Sequence, residues 1–373
     1  MPIHKFSWKD KVVHKKTAGV VRYGAYGDLM QASSVLAGLK KQGFHTTLYC
    51  SNPGAEVLKC DPNIDEFYMQ GVNQVPNQAL TEFWKYHKGK YDKWVNLSES
   101  VEGQLLSIPD RAPHQWTPQA RHRLMNHNYL EMMHDIAGVP HVPQVHFYAD
   151  DSELAWAKGE RSRIGGGIIV VWSMSGSSVH KKWPWTDNVI ASMLLEFPDV
   201  KFVLVGGPDC VLLEQGWFQV KDGEAVRDDH GRRILAEPRV QCRAGDWSIR
   251  QTLAFCQQAD IIVGPETGVL NSLACEPMPK VVFLSHSTDE NLTRDWVNTH
   301  VIVSEITECP GRGKNEAPAC HQLHYNWDYC KNVIAEDGKP TGCAQCMWDI
   351  PAEHVAKVLW HVIQYEREAR EAA

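Results

Sequence analysis

A carboxylate, a hydroxyl and a glycine stand together at Glu266, Thr267 and Gly268, between a predicted strand and a predicted helix. Residues 261–263 form an apolar run typical of a strand buried on both faces, and apolar residues recur at helical spacing from position 270. This order directs backbone N–H groups and the positive end of a helix at one point. Such a point suits an anion, most often a phosphate, although an ordinary turn of a parallel sheet has the same pattern.

A second group of hydrogen-bond donors follows the predicted strand at 168–172. Two serines and two lysines in this loop offer hydroxyl and ammonium groups to phosphate oxygens. They are Ser175, Ser177, Lys181 and Lys182. The next predicted strand, at 201–205, is followed by Gly207 and Asp209, which suit close approach by a ribose.

Asp28 stands at the boundary between the first predicted strand, 18–22, and the first predicted helix. Open α/β folds bind their ligands at the carboxyl ends of parallel strands, so this carboxylate is a candidate for catalysis. Aspartate is also a common helix N-cap, and the sequence alone leaves both roles open.

The region from 99 to 143 is rich in histidine, arginine and aromatic residues. One interpretation is a helical insertion with solvated charges. The other is a wall for a polar or anionic acceptor, since aromatic faces and cations bind such groups. The candidate acceptor residues are Arg111, His114, Arg121 and Arg123.

Eleven cysteines occur in the chain, and five of them lie between positions 309 and 346. Cys343 and Cys346 have the two-residue gap that is common at zinc sites, and Cys309 and Cys330 are candidates to complete the ligand set. A disulfide or clustered free thiols fit the same residues. In each case we expect a structural role and no catalytic one.

The elements around these residues follow a regular order, because strand and helix patterns alternate in two successive halves of the chain. The predicted divisions are an arm at 1–17, a first domain at 18–160, a second domain at 161–350 and a terminal helix at 351–373. Three consecutive glycines at 165–167 suggest the joint between the domains. Neither half contains the glycine pattern of a dinucleotide site or of a nucleoside-triphosphate site.

The composition is that of an ordinary water-soluble globular protein, with 43% hydrophobic residues, 22% charged residues and a net charge of −7. The negative charge argues against nucleic acid as a partner. No apolar run is long enough to cross a bilayer, and the first ten residues lack the apolar centre of a secretory signal. These features predict a cytoplasmic protein.

Taken in order, the four polar motifs resemble those of glycosyltransferase family 9, the ADP-heptose:lipopolysaccharide heptosyltransferase-like enzymes. The first is the Gly27-Asp28 turn, and the second is the lysine loop that ends in Trp183-Pro184. The Gly-Gly-Pro-Asp strand end at 206–209 and the Glu-Thr-Gly turn at 266–268 complete the set. The similarity covers about residues 18–350.

The resemblance implies the GT-B architecture, in which two Rossmann-like α/β domains face each other across a cleft. The acceptor would bind the N-terminal half and an ADP-sugar or another nucleotide-sugar donor the C-terminal half. Asp28 would be the general base, Asp209 would meet the ribose, and the remaining donor residues would bind the diphosphate or its sugar. These remaining residues are Ser175, Ser177, Lys181, Lys182, Gly207, Glu266, Thr267 and Gly268.

The resemblance further implies an inverting transfer, without a metal or another cofactor, to a lipopolysaccharide or other surface glycan, with the enzyme peripheral to a membrane. It also implies that the terminal helix packs back on the N-terminal domain. The sequence departs from the family pattern at Glu266, where aspartate is usual, and at Asn271, where histidine is common. The alternatives are another GT-B enzyme, such as an epimerase or a DNA-modifying transferase, and an inactive binding relative.

Overall fold

The structure is a computed structural model that describes most of the chain. The described residues are 15–71, 75–97, 117, 120, 126–176, 179–210, 219–221, 224–226, 237–285, 287–304, 308–309, 313–314, 332–334 and 340–372.

Four parallel strands form the first sheet, in the order β3-β2-β1-β4. The strands are β1 (Thr17–Val21), β2 (His45–Cys50), β3 (Glu66–Met69) and β4 (Lys93–Asn96). The helices are α1 (Tyr26–Lys41), α2 (Asn52–Leu58), α3 (Leu80–Lys88) and α4 (Tyr129–Ala137). Helical crossovers of this kind are needed to return the chain for a parallel pairing. These elements are called the first half below.

Six parallel strands form the second sheet, in the order β12-β11-β10-β5-β6-β9. They are β5 (Ile168–Ser173), β6 (Val200–Val205), β9 (Val240–Cys242), β10 (Ile261–Pro265), β11 (Lys280–Leu284) and β12 (Thr299–Val303). Three antiparallel pairs accompany it: β7 (Gln219–Lys221) with β8 (Glu224–Val226), β13 (Glu308–Cys309) with β14 (Gly313–Lys314), and β15 (Asn332–Ile334) with β16 (Pro340–Ala344). Strands β5 and β10 are buried along their whole length, as the continuous apolar runs predict.

The helices of the second half are α5 (Asp151–Ile164), α6 (Thr186–Glu196), α7 (Ile249–Cys256), α8 (Gly268–Ser272), α9 (Gln345–Trp348) and α10 (Ala352–Glu371). The predicted domain boundary between 160 and 161 falls inside α5, and α5 packs against α7 of the second half. No helix among the described residues is both long and apolar enough to cross a membrane.

Among the described residues, the terminal helix α10 packs against the second half, whereas the prediction placed it against the first half. Its apolar stripe, which includes Val355 and Leu359, packs with α6 and β5 of the second half. Arg370 extends this contact by donating to the carbonyl oxygen of Gly167, at 2.9 Å. The helical pattern identified the buried face of α10, but it did not specify the partner, and the apolar surface of the second sheet supplies one.

One buried arginine joins the two halves. Arg250, in α7, is 3% exposed and donates to the carbonyl oxygen of Val57 at the end of α2, at 2.9 Å. It also donates to the carbonyl oxygen of Tyr148 at 2.9 Å and to both carboxylate oxygens of Glu153, at 2.6 and 2.5 Å. Its guanidinium lies 4.7 Å from the ring centre of Phe147. Arg250 therefore bonds α7 to the first half, to the segment before α5 and to α5 itself.

Candidate active site

The turn between β10 and α8 has the predicted order of strand, turn and helix. Gly264 has φ +152°, and a Cβ atom there would lie 2.4 Å from the carbonyl oxygen of Ser173, so only glycine fits. The turn brings Thr267 against β5, where its hydroxyl lies 2.9 Å from that of Ser173. Glu266 is 9% exposed and Thr267 is 3% exposed, so both side chains are fixed by packing.

Lys181 and Glu266 form an ion pair within this site. The Lys181 ammonium donates to Oε1 of Glu266 at 3.1 Å, and the two side chains are 15% and 12% exposed. The loop that carries the lysine is closed on itself, because the backbone N–H of Gly176 donates to the carbonyl oxygen of Lys181 at 3.1 Å. The structure thus brings together two of the predicted donor-binding residues, on the loops that follow β5 and β10.

Asp28 lies at the start of α1, where it has two hydrogen-bond donors. Its Oδ1 accepts from Arg22 at 2.9 Å, and its Oδ2 accepts from the backbone N–H of Ala25 at 2.8 Å. The side chain is 36% exposed and remains open to a ligand. The N-cap of α1 is Ala25, so Asp28 is not the N-cap that the sequence offered as one of its roles; it is the third residue of the helix and bonds back to the N-cap N–H. This contact is compatible with a catalytic role.

The environment of Asp28 contains two residues that sequence reasoning missed. Arg22 is 1% exposed and donates to the hydroxyl of Tyr129 at 2.6 Å, so its guanidinium is fixed before any ligand binds. Gly24 has φ +135°, and a Cβ atom there would lie 2.6 Å from Oδ2 of Asp28. The sequence pattern did not identify Arg22 as a site residue, because a polar residue at the end of a strand is common.

The helix starts of α1 and α8 face each other across the two halves. Gly268 lies against Gly27 and Tyr26, and Gly27 lies against Asn271. Asp28 follows Gly27 in α1, and Glu266 stands just before α8, so the carboxylate and the Lys181–Glu266 pair lie on either side of this contact between the halves. This arrangement supplies a proton acceptor on one side and a cation for an anionic leaving group on the other.

The tryptophans that follow the lysine loop serve as anchors in the described structure. Trp183 and Trp185 donate their indole N–H groups to the carbonyl oxygens of Ile350 and Trp348, both at 3.1 Å. The thiol of Cys343 donates to the carbonyl oxygen of Lys182 at 3.0 Å. Residues 343–350 therefore hold the end of the lysine loop through these hydrogen bonds. The sequence did not predict this role.

The other predicted site residues have less definite positions. Ser175 lies with its hydroxyl 3.1 Å from the thiol of Cys210, and it forms an isolated bridge with Lys182. Gly207 is exposed at the end of β6, and the backbone of Asp209 lies in the short helical turn Pro208–Cys210. Ser177, Arg111, His114, Arg121, Arg123 and Cys330 lie outside the described residues.

Cys343 and Cys346 are free thiols in the structure. Burial raises the pKa of the Cys343 thiol to about 12, which favours the neutral form. Cys309 lies in β13, and no group of three or more metal-ligating side chains occurs among the residues that the structure describes. The zinc site thus stays an untested alternative to a disulfide or clustered free thiols.

No protein-family model and no curated protein matches the sequence. Solved structures share its fold. ADP-heptose lipopolysaccharide heptosyltransferase II of Escherichia coli matches with a TM-score of 0.58 at 14% identity, over 94% of this chain and 99% of that one. A family 9 glycosyl transferase from Veillonella parvula gives 0.56 at 16% identity, over 77% of this chain and 85% of that one.

A third similar structure is TibC, an iron-containing dodecameric glycosyltransferase from enterotoxigenic Escherichia coli. Its TM-score is 0.55 at 10% identity, and the match covers 94% of this chain and 78% of that one. These likenesses confirm the GT-B architecture and, at the level of the fold, the resemblance to glycosyltransferase family 9.

Proposed function

We propose that this protein transfers a sugar from a nucleotide-diphosphate donor to a hydroxyl group of a glycan acceptor, with inversion at the anomeric carbon. The observation that carries the proposal is the contact between the starts of α1 and α8, which has Asp28 on one side and the Lys181–Glu266 pair on the other. A fold shared with heptosyltransferases supports the same reaction class.

In the proposed reaction, the carboxylate of Asp28 takes the proton of the acceptor hydroxyl. The acceptor oxygen then attacks the anomeric carbon, and the bond from that carbon to the diphosphate oxygen breaks. The diphosphate leaves with the electron pair, and the ammonium of Lys181 compensates the added charge. Arg22 keeps the carboxylate oriented throughout, since it is buried and bonded to both Asp28 and Tyr129.

The finer assignments follow the sequence resemblance. The proposed donor is an ADP-sugar that carries a heptose or a hexose-like sugar, and the proposed acceptor is a lipopolysaccharide or another surface glycan. Lys182, Asp209 and Gly207 belong to the proposed donor side, together with the two loop serines. The proposed location is cytoplasmic, with the acceptor reached at a membrane surface.

The first test is the thermal unfolding midpoint with ADP, GDP, UDP, TDP and CMP, each added separately. We expect ADP to stabilise the protein, by about 2.7 kcal/mol at a hundredfold its dissociation constant. Lys181→Ala should remove the effect, because it deletes the cation that meets the diphosphate. Lys158→Ala, which changes an exposed lysine of α5, should leave it intact. If none of the nucleotides raises the midpoint, the nucleotide-sugar proposal is wrong.

A further inference from the structure

A chain of buried amide groups connects the two sides of the cleft. Gln31 lies in α1 and is 2% exposed, and Asn271 lies in α8 and is 5% exposed. The side-chain amide of Gln31 donates to Oδ1 of Asn271. Asn271 in turn donates through Nδ2 to Oε1 of Glu266 at 3.1 Å, the same oxygen that accepts from Lys181. The hydrogen bonds therefore run without a break from α1 to the Lys181 ammonium.

The position of Gln31 gives this chain its significance. Gln31 stands one helical turn after Asp28, and residues three apart lie on the same side of a helix. Buried amides that lose their partners are costly, so the contact with Asn271 favours one setting of α1 against α8. Close packing of Gly27 on Asn271 favours the same setting. The contact therefore fixes the rotation of α1 about its axis, and its position along that axis, relative to the turn at Glu266.

We propose that Gln31 and Asn271 are positioning residues that hold Asp28 in register with the Lys181–Glu266 pair. The inference rests on the proposed function and extends it. The distance from the proton acceptor to the leaving group is set by a polar contact between the halves, and not by either half alone. Asn271 positions α1 through Gln31 and also orients Glu266. Gln31 positions α1 alone.

The proposal predicts different kinetic effects for the two residues. Gln31→Ala should lower kcat about 10–100-fold, the usual result of a small misplacement of a reacting group, and should leave ADP affinity within about twofold. Asn271→Ala should lower both kcat and ADP affinity, because it also releases Glu266. Gln42→Ala changes an exposed residue at the end of the same helix, and it should behave like the wild type.

A conservative variant separates the hydrogen bond from a general loss of packing. Gln31→Met keeps the length of the side chain but cannot donate to Asn271, so it should lower kcat as much as Gln31→Ala does. A wild-type kcat for either variant would overturn the proposal.

The proposed function and this inference can fail separately. If the wild type binds no nucleotide and transfers no sugar, the proposed function is wrong. The amide contact is then judged from the unfolding midpoints of Gln31→Ala, Asn271→Ala and the double alanine variant. Non-additive shifts support the connection between the halves, and additive shifts overturn it.

Discussion

Asp28→Asn is expected to lower kcat by about 10²–10⁴-fold, the contribution typical of a positioned general base. Asparagine keeps the size of the side chain, and its oxygen can still accept from the backbone N–H of Ala25. The substitution removes the ability to take a proton and also the ion pair with the buried Arg22, so the unfolding midpoint is measured alongside to confirm that the variant is folded. Affinity for ADP should remain near the wild-type value, because the proposed donor residues lie on the other half. The measurement is steady-state turnover together with nucleotide binding.

The control for this experiment is Asp135→Asn, which changes an exposed carboxylate on α4 of the same half. It should leave turnover unchanged. An Asp28→Asn enzyme with normal kcat would show that Asp28 only caps α1 and pairs with Arg22. A wild type that binds nucleotide but transfers no sugar from any donor would favour the alternative of an inactive binding relative.

Arg250→Met is expected to lower the free energy of unfolding by about 3–5 kcal/mol, the usual cost of breaking a buried ion pair from one side. Methionine cannot donate to Val57, Tyr148 or Glu153, so buried oxygen atoms lose their donors. The measurement is urea denaturation. Arg163→Met is the control, because the Arg163 side chain is 62% exposed and pairs with Glu160 one turn away on α5. An ion pair with one exposed partner contributes little, about 1 kcal/mol or less.

Lowering the pH should reduce the difference in unfolding free energy between the wild type and Arg250→Met. Burial opposes ionisation of Glu153, but hydrogen bonds from Arg250 and from the backbone N–H of Asp150 outweigh it, so the pKa of Glu153 is lowered. A carboxylate with a lowered pKa stabilises the fold above its ordinary value and loses this contribution as pH falls. Below pH 4.5, the ordinary glutamate value, the stability of the wild type should therefore approach that of Arg250→Met. An unchanged gap between them in acid would contradict this account.

Much of the donor side could be predicted from local pattern. The apolar run before Gly264 and the helical spacing after Gly268 are local features of the sequence, and the structure has a strand followed by a helix here. The break that Gly264 and Pro265 predict does not occur at these residues, because β10 continues through both of them and the turn follows at Glu266 and Thr267. Asp28 was found for the same reason, since its place at a strand-to-helix turn is visible in the sequence.

The supporting contacts could not be predicted, because they join residues that are distant in sequence. Gln31 meets Asn271 across 240 positions, and Trp183 meets Ile350 across 167. The packing partner of α10 could not be predicted for a related reason. Periodicity tells which face of a helix is apolar, and only the assembled sheet shows what covers it.

The contacts of Trp183 and Trp185 also bear on how the protein is made. The carbonyl groups that receive their indole N–H groups are synthesised more than 160 residues later. At about 5–20 residues per second, the ribosome needs on the order of ten seconds or more to reach them. Until then the lysine loop lacks its support, even where β5 and β6 have already paired. The proposed donor side is therefore completed late in translation, and on the proposed function a ribosome-bound chain that stops before residue 343 should not yet bind ADP.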